Sequence, residues 1–181
     1  MAVRRTNEAR RSAILRRIFI YTPLFFILGV AQCSFFTELS FISAVPNIVM
    51  GAIAAIALLD SQRASIVCAL ASGFMIDALG SSGISLSPIA FLVIALAASE
   101  ISKKILPTFI SYLAVLVPSA IINTAFTVIK IFFATKELRF LSILKTILLP
   151  EFILTLIFSL PLFFIIGFFA RMVDKKSKFK V

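Results

Sequence analysis

Long apolar segments separated by short polar breaks make up most of the chain, and their lengths predict membrane spans. A spanning helix needs about 20 predominantly apolar residues. Four runs without a charged side chain fit this length: residues 18–36, 41–59, 105–129 and 152–170. Pro46 can place the true helix start inside the second run, because proline is favoured in the first helical turn. These four runs are predicted to be membrane helices.

The stretch between residues 64 and 99 is less regular. Segments 64–79 and 84–99 have 16 residues each, which is about 24 Å as helices. The sequence "GSSG" at 80–83 separates them and is typical of a tight turn. We interpret the two segments as a helical hairpin, which raises the prediction to about six spans; a re-entrant pair is the alternative.

Composition supports a membrane protein. Hydrophobic residues make up 61% of the chain and charged residues 14%, whereas soluble domains average about half and about a quarter. The predicted fold class is therefore all-α, a polytopic membrane helix bundle. We divide it into a basic N-terminal tail (1–17), a six-span membrane domain (18–172) and a basic C-terminal tail (173–181).

Positive charge is concentrated at both ends of the chain. The net charge is +10, with six arginines among the first 17 residues and five basic residues after position 170. Basic flanks beside membrane spans are typical of cytoplasmic anchors near anionic lipids; nucleic-acid binding is the alternative. With Arg63, Lys103 and Lys104 on the same side, the pattern predicts that both termini are cytoplasmic. The N-terminus also resembles a secretory signal, but the following segments are equally apolar, so we interpret it as an uncleaved first span.

Several kinds of chemistry are disfavoured. Histidine is absent, which excludes Ser–His and Cys–His hydrolases and histidine-ligated metals. Cys33 and Cys68 lie far apart in apolar runs and do not have metal-binding spacing. The acidic residues form no close pair. We therefore expect no catalytic site, no metal and no cofactor.

Small and polar residues recur every four positions in the third segment. Ser65, Ala69, Gly73 and Asp77 would share one face of a helix. Small residues at this spacing allow close helix approach, so we predict a packing stripe, used within the chain in preference to a partner. Asp77 has two interpretations: an interfacial carboxylate that reaches water or caps the turn, or a carboxylate buried against another helix or a partner.

A second polar line runs along the fifth predicted span. Its members are Ser119, Asn123, Thr127 and Lys130. Asn123 lies near the centre of its run, where an unsatisfied amide is costly. We predict that it hydrogen-bonds to a neighbouring helix; a solute pathway is the alternative.

Three short motifs carry a family resemblance. They are "VPN" at 45–47, with Pro46 and Asn47; "GFMID" at 73–77, with Gly73 and Asp77; and Gly83 shortly after them. In their order and spacing, within a small six-span protein with basic ends, they resemble the rod-shape-determining MreD family. Two positions depart from the family pattern: Ala69, where a glycine is expected, and Pro88.

The resemblance implies a structural function in the bacterial inner membrane. Members of this family bind MreC, a periplasmic scaffold with one membrane anchor. Together these proteins support the glycosyltransferase RodA and a class B penicillin-binding transpeptidase, guided by MreB filaments. The chain would then be a non-enzymatic subunit of the cell-elongation complex, with anionic lipids at its basic tails. The stripe through Gly73 and Asp77 is a candidate for part of its helix-packing or partner surface.

A small-solute transporter subunit is the competing class. The substrate-binding components of energy-coupling-factor vitamin transporters are also six-span proteins of this size, and the MreD family resembles them in fold. Against this class, the predicted outer loops carry few binding groups, and the chain has no tryptophan and two tyrosines. A ligand pocket usually offers several convergent polar or aromatic groups.

Overall fold

The computed structural model describes residues 2–35, 45–80, 85–135 and 144–178. The regular elements in these ranges are all helices, which confirms the all-α part of the predicted fold class. The helices are α1 (Ala2–Val30), α2 (Ile48–Leu59), α3 (Gln62–Leu79), α4 (Ser87–Ser102), α5 (Phe109–Thr135) and α6 (Leu149–Lys178). Short π-helical turns, Ala31–Phe35 and Leu144–Leu148, continue α1 and precede α6. The basic segment that we predicted as an N-terminal tail is thus helical from Ala2 and continues directly into the first span.

Four helical stretches in the described ranges are long and apolar enough to cross a membrane. They are Leu15–Ser34, Gln62–Leu79, Phe109–Phe133 and Leu149–Met172. The other two helices, α2 and α4, have 12 and 16 residues, or about 18 and 24 Å. Both are shorter than the roughly 30 Å hydrocarbon core of a bilayer. The six-span count and its re-entrant alternative stay predictions.

Helix α2 is shorter than the apolar run that contains it. Residues 41–44 of that run lie outside the described residues, and the helix begins at Ile48, directly after Pro46 and Asn47. The Asn47 side chain caps it, because its Oδ1 accepts a hydrogen bond from the Met50 N–H at 3.1 Å. Such a cap satisfies one of the amide groups that a helix start leaves without a partner. The prediction that the helix starts inside the run is confirmed, but Pro46 lies before the capping residue and not in the first helical turn.

The short helix α2 forms the centre of the bundle. Every residue from Ile48 to Leu58 is buried, and the helix packs against all five others. Its sequence explains this position, since it carries no charged or polar side chain and is rich in alanine. The small side chains let neighbouring helices come close. At Gly51, an added Cβ would collide with Ser159 of α6.

The directions of the helices place several basic residues at one end of the bundle. Helices α2 and α6 run parallel, because Asn47 meets Thr155 near their starts and Leu59 approaches Gly167 near their ends. Ion pairing of Arg17 with Asp60 brings the start of the α1 span to the end of α2. We call this end of the molecule the basic end. It holds Arg17, Arg63, Lys103, Lys104 and Arg171, whereas Lys130 and Lys145 lie toward the opposite end. The cytoplasmic location of the basic end stays a prediction from the positive-inside rule.

A bidentate ion pair fastens α1 to α2 at the basic end. Arg17 Nε and Nη2 donate to the two Asp60 carboxylate oxygens at 3.1 and 2.6 Å. The Tyr21 hydroxyl donates to the same carboxylate at 2.9 Å. The Asp60 side chain is only 5% exposed, so it depends on these donors for the hydrogen bonds that water would otherwise supply.

Arg17→Met should therefore lower the stability of the protein. It leaves the buried Asp60 carboxylate with Tyr21 as its one remaining donor, at a cost of about 1–3 kcal/mol. Arg17→Lys should fall between this variant and the wild type, because an ammonium keeps the charge but not the bidentate geometry. Thermal melting in detergent micelles measures the order. The matched control is Arg171→Met, at an exposed arginine without an ion pair among the described residues. Equal melting of Arg17→Met and Arg171→Met would contradict the role given to Asp60.

Candidate functional site

Polar side chains from five helices meet at the end of the bundle opposite the basic end. We call this group the polar junction. Its members are Asn47, Asp77, Ser87, Asn123, Lys130 and Glu151. The 12 residues of α2 separate Asn47 from the basic end by about 18 Å. With the basic end at a membrane surface, the junction would lie within the depth of a roughly 30 Å hydrocarbon core. Polar groups at such depth are costly unless they bind one another.

Asn47 connects three helices at the start of α2. Besides capping its own helix, it donates from Nδ2 to Asn123 Oδ1 of α5 at 2.7 Å. Its backbone N–H donates to Thr155 Oγ1 of α6 at 2.9 Å. The Gln32 side chain, after α1, accepts a bond from the Val49 N–H at 3.1 Å. The start of α2 is therefore held from three sides.

A directed chain of hydrogen bonds continues from Asn47 to a carboxylate. Asn123 accepts from Asn47 and donates from Nδ2 to Glu151 Oε1 at 3.0 Å. Thr127 contributes a longer contact to the same oxygen at 3.4 Å. Glu151 Oε1 accepts both contacts, so this chain of hydrogen bonds ends at the Glu151 carboxyl group. The prediction that Asn123 hydrogen-bonds to a neighbouring helix is borne out by these contacts.

Asp77 is held by neighbouring helices and does not face open water. Its side chain is 8% exposed. Its Oδ2 accepts bonds from the Ser87 N–H at 3.1 Å and from Ser85 Oγ at 2.8 Å. A carboxylate at this position caps α4 and is stabilised by the helix dipole. Asp77 is thus a carboxylate buried against another helix, where it caps the start of α4. Residues 81–84 of the predicted turn lie outside the described residues.

The Lys130 side chain points into the bundle and contacts Asp77 of α3 and Ser87 of α4. Its Nζ donates to Ser87 Oγ at 2.6 Å and lies 3.7 Å from Asp77 Oδ1. Long basic side chains near the end of a membrane helix often extend toward the membrane interface, but Lys130 does not. A buried carboxylate on α3 supplies the reason for the opposite direction, since each charge lowers the cost of burying the other.

The predicted packing stripe is used inside the chain. Ser65, Ala69 and Gly73 are all buried. Ser65 Oγ donates to the Ile53 carbonyl of α2 at 3.3 Å. A Cβ at Gly73 would lie 2.7 Å from the Pro88 backbone N and closer still to its Cα, so α3 and α4 touch backbone to backbone. The stripe is therefore a surface for α2 and α4, and its use by a partner is ruled out for these three residues.

A small polar pocket lies beside the junction. Its volume is about 180 Å³, and the residues around it include Gln32, Asn47, Asn123, Lys130 and Glu151. Phe91 and Phe126 supply apolar wall. The space is large enough for several waters or one small polar molecule, and its wall offers both hydrogen-bond donors and acceptors. Among the described residues, no group of three or more acidic or cysteine side chains could hold a metal ion.

No protein-family model, curated protein or solved structure matches this chain. The candidate site therefore stands on its geometry and on the motifs described above.

The predicted site residues divide into two groups. Pro46, Asn47, Asp77 and Asn123 lie at or beside the polar junction, whereas Ser65, Ala69 and Gly73 lie on the packed face of α3. Gly83 lies outside the described residues.

Sequence reasoning did not find Glu151, Ser87 or Gln32. An acidic residue in the first turn of a helix is favoured by the helix dipole. Because this accounts for Glu151 without a partner, the sequence provided no reason to expect its contact with Asn123.

Proposed function

We propose that the chain is a non-enzymatic membrane subunit of the bacterial cell-elongation complex, of the MreD type. One observation carries the proposal. Asn47 and Asp77, from the two motifs that carry the resemblance, cap the two short helices, α2 and α4, at adjoining points of one junction. Gly73, from the second motif, lies against the first turn of α4. In the described contacts these motif residues cap and pack helices. Such a structural role suits a protein that holds partners in the membrane.

In this proposal the bundle presents a fixed outer surface within the bacterial inner membrane. The stripe on α3 is occupied by the chain's own helices, so a partner must bind elsewhere. The long helices α1, α5 and α6 expose large apolar side chains such as Phe19, Ile121 and Phe164. A single membrane anchor, that of MreC, would pack on such a face. RodA and the class B transpeptidase would join through this pair, and MreB filaments would act indirectly.

Copurification tests the proposal directly. The tagged chain should bring down a single-span, coiled-coil partner from membranes of a rod-shaped bacterium. Gly73→Ala should reduce recovery of that partner, because it disturbs the α3–α4 contact on which the outer surface depends. Gly167→Ala should leave recovery unchanged, since a Cβ there makes only an ordinary contact with Leu59 at 3.7 Å. Absence of any single-span partner with the wild-type chain would count against the proposal.

The polar pocket favours a second candidate function, that of a small-solute binding subunit. Donors and acceptors from four helices and the end of α1 surround it, which is the arrangement that the sequence alone did not lead us to expect. Transport of a vitamin-like solute by the intact bacterium distinguishes the candidates. Loss of uptake with unchanged cell shape on depletion of the chain would favour this second function over the first.

A further inference from the structure

An apolar cleft runs between α1 and α3 from the basic end. Its volume is about 740 Å³. Tyr21 and Phe25 of α1 form one wall, and Ala64, Cys68 and Ala71 of α3 form the other. The aromatic wall is bulky and the facing wall is small, so the two helices leave space between them instead of interlocking.

The cleft is closed at its inner end. There the terminal methyl of Met75 occupies the space that a Cβ at Gly29 would need, so α1 and α3 are in close contact. From Ser61 to Met75 the helix rises about 21 Å. That length exceeds one leaflet, about 15 Å, but falls short of the roughly 30 Å that a spanning helix must cross. The shape suits an extended acyl chain better than a partner's membrane helix.

The open end of the cleft is positively charged. Arg17 and Arg63 both line it. Arg63 is exposed and has no ion pair among the described residues. Arg17 uses two of its five N–H donors on Asp60, which leaves donors for a further anion. Asp60, the nearby acid, is 5% exposed and is turned toward Arg17 and Tyr21.

We propose that this cleft binds one anionic phospholipid. An acyl chain lies along the aromatic and alanine walls, and the headgroup phosphate binds Arg63 and the remaining donors of Arg17. The positive charge of Arg17 and Arg63 favours an anionic headgroup. Anionic lipids of the cytoplasmic leaflet attract basic residues close to the membrane surface. The closed inner end limits the length of the acyl chain that the cleft can hold. This site is distinct from the basic tails, and it does not depend on which complex the protein joins.

Native mass spectrometry of the purified full-length protein tests the proposal. The protein is equilibrated with equal amounts of phosphatidylglycerol and phosphatidylethanolamine in detergent. The wild type should retain one phosphatidylglycerol per chain in preference to phosphatidylethanolamine. Arg63→Gln should lower the affinity for phosphatidylglycerol about fivefold, the worth of one basic residue at an anionic surface. Ala71→Phe, which fills the cleft, should abolish retention of the lipid.

Two matched controls separate the cleft from general effects. Arg171→Gln removes an exposed basic residue at the same end of the bundle, and Ala125→Phe enlarges an exposed alanine on α5. Neither residue lines the cleft, so both variants should retain the lipid as the wild type does. Equal retention of the two lipids by the wild type would overturn the proposal. So would an equal loss in Arg171→Gln and Arg63→Gln, or full retention in Ala71→Phe.

A crosslinking experiment in cells identifies the occupant without a destabilising substitution. A photoreactive phenylalanine analogue replaces Val67, which is exposed and lines the cleft. Illumination should add the mass of a glycerophospholipid to the chain. Adducts with another protein as the sole product would show that a partner helix fills the cleft and would refute lipid binding there.

Discussion

Gly73→Ala is expected to lower the stability of the protein by about 3 kcal/mol, the upper part of the range for overpacking a close contact. The added methyl would lie 2.7 Å from the Pro88 backbone N, and backbone atoms at a helix start have little room to move. To relieve the clash, α4 must move away from α3, which also pulls the Ser87 N–H from the Asp77 carboxylate. Thermal melting in detergent measures the loss.

Gly167→Ala is the matched control for this effect. It adds the same methyl to another glycine in a membrane helix, but its nearest neighbour, a Leu59 methyl, is at an ordinary distance of 3.7 Å. Alanine is also the better helix former of the two residues. The control should melt at or slightly above the wild-type temperature. Similar melting of both variants would show that the α3–α4 contact does not limit stability.

Asn123→Leu is expected to have the second-largest effect, about 1–3 kcal/mol. Leucine fills a similar volume but breaks the chain from Asn47 to Glu151. The Asn47 amide loses its acceptor, and the Glu151 carboxylate keeps only the longer contact with Thr127. Buried polar groups without partners are the source of the cost.

Thr124→Val provides the comparison on the same helix. Its hydroxyl donates to the Ala120 carbonyl of its own helix at 2.9 Å, so its removal breaks no link between helices. This variant should melt close to the wild type. If Asn123→Leu melts no lower than Thr124→Val, the polar junction does not hold the start of α2.

The extent of the helices was largely predictable from sequence, because the length of an apolar run limits what can cross a bilayer. The shortness of α2 was predictable only in part. Pro46 indicated a late start within the run, but the capping contact of Asn47 and the complete burial of the helix depend on neighbours distant in sequence. Spacing in fours likewise predicted that Gly73 lies in a packing face, without naming α4 as the helix it meets.

The candidate site was less predictable than the fold. Asn123 and Asp77 stood out because each is a polar group in an apolar segment. Lys130 was named in the same polar line as Asn123, but without a partner. Glu151 did not stand out, because an acidic residue suits the first turn of any helix. Lys130 and Asp77 are 53 positions apart and lie on different helices, so only the packing of α3, α4 and α5 could reveal their pairing.

Cell shape on depletion of the chain tests the central proposal most directly. In a rod-shaped bacterium that carries this protein, depletion should turn rods into rounded cells. Expression of the wild type or of Gly167→Ala should restore rods, whereas Gly73→Ala should restore them poorly or not at all. Rods of unchanged outline after depletion, with impaired uptake of a small solute, would contradict a role in cell elongation.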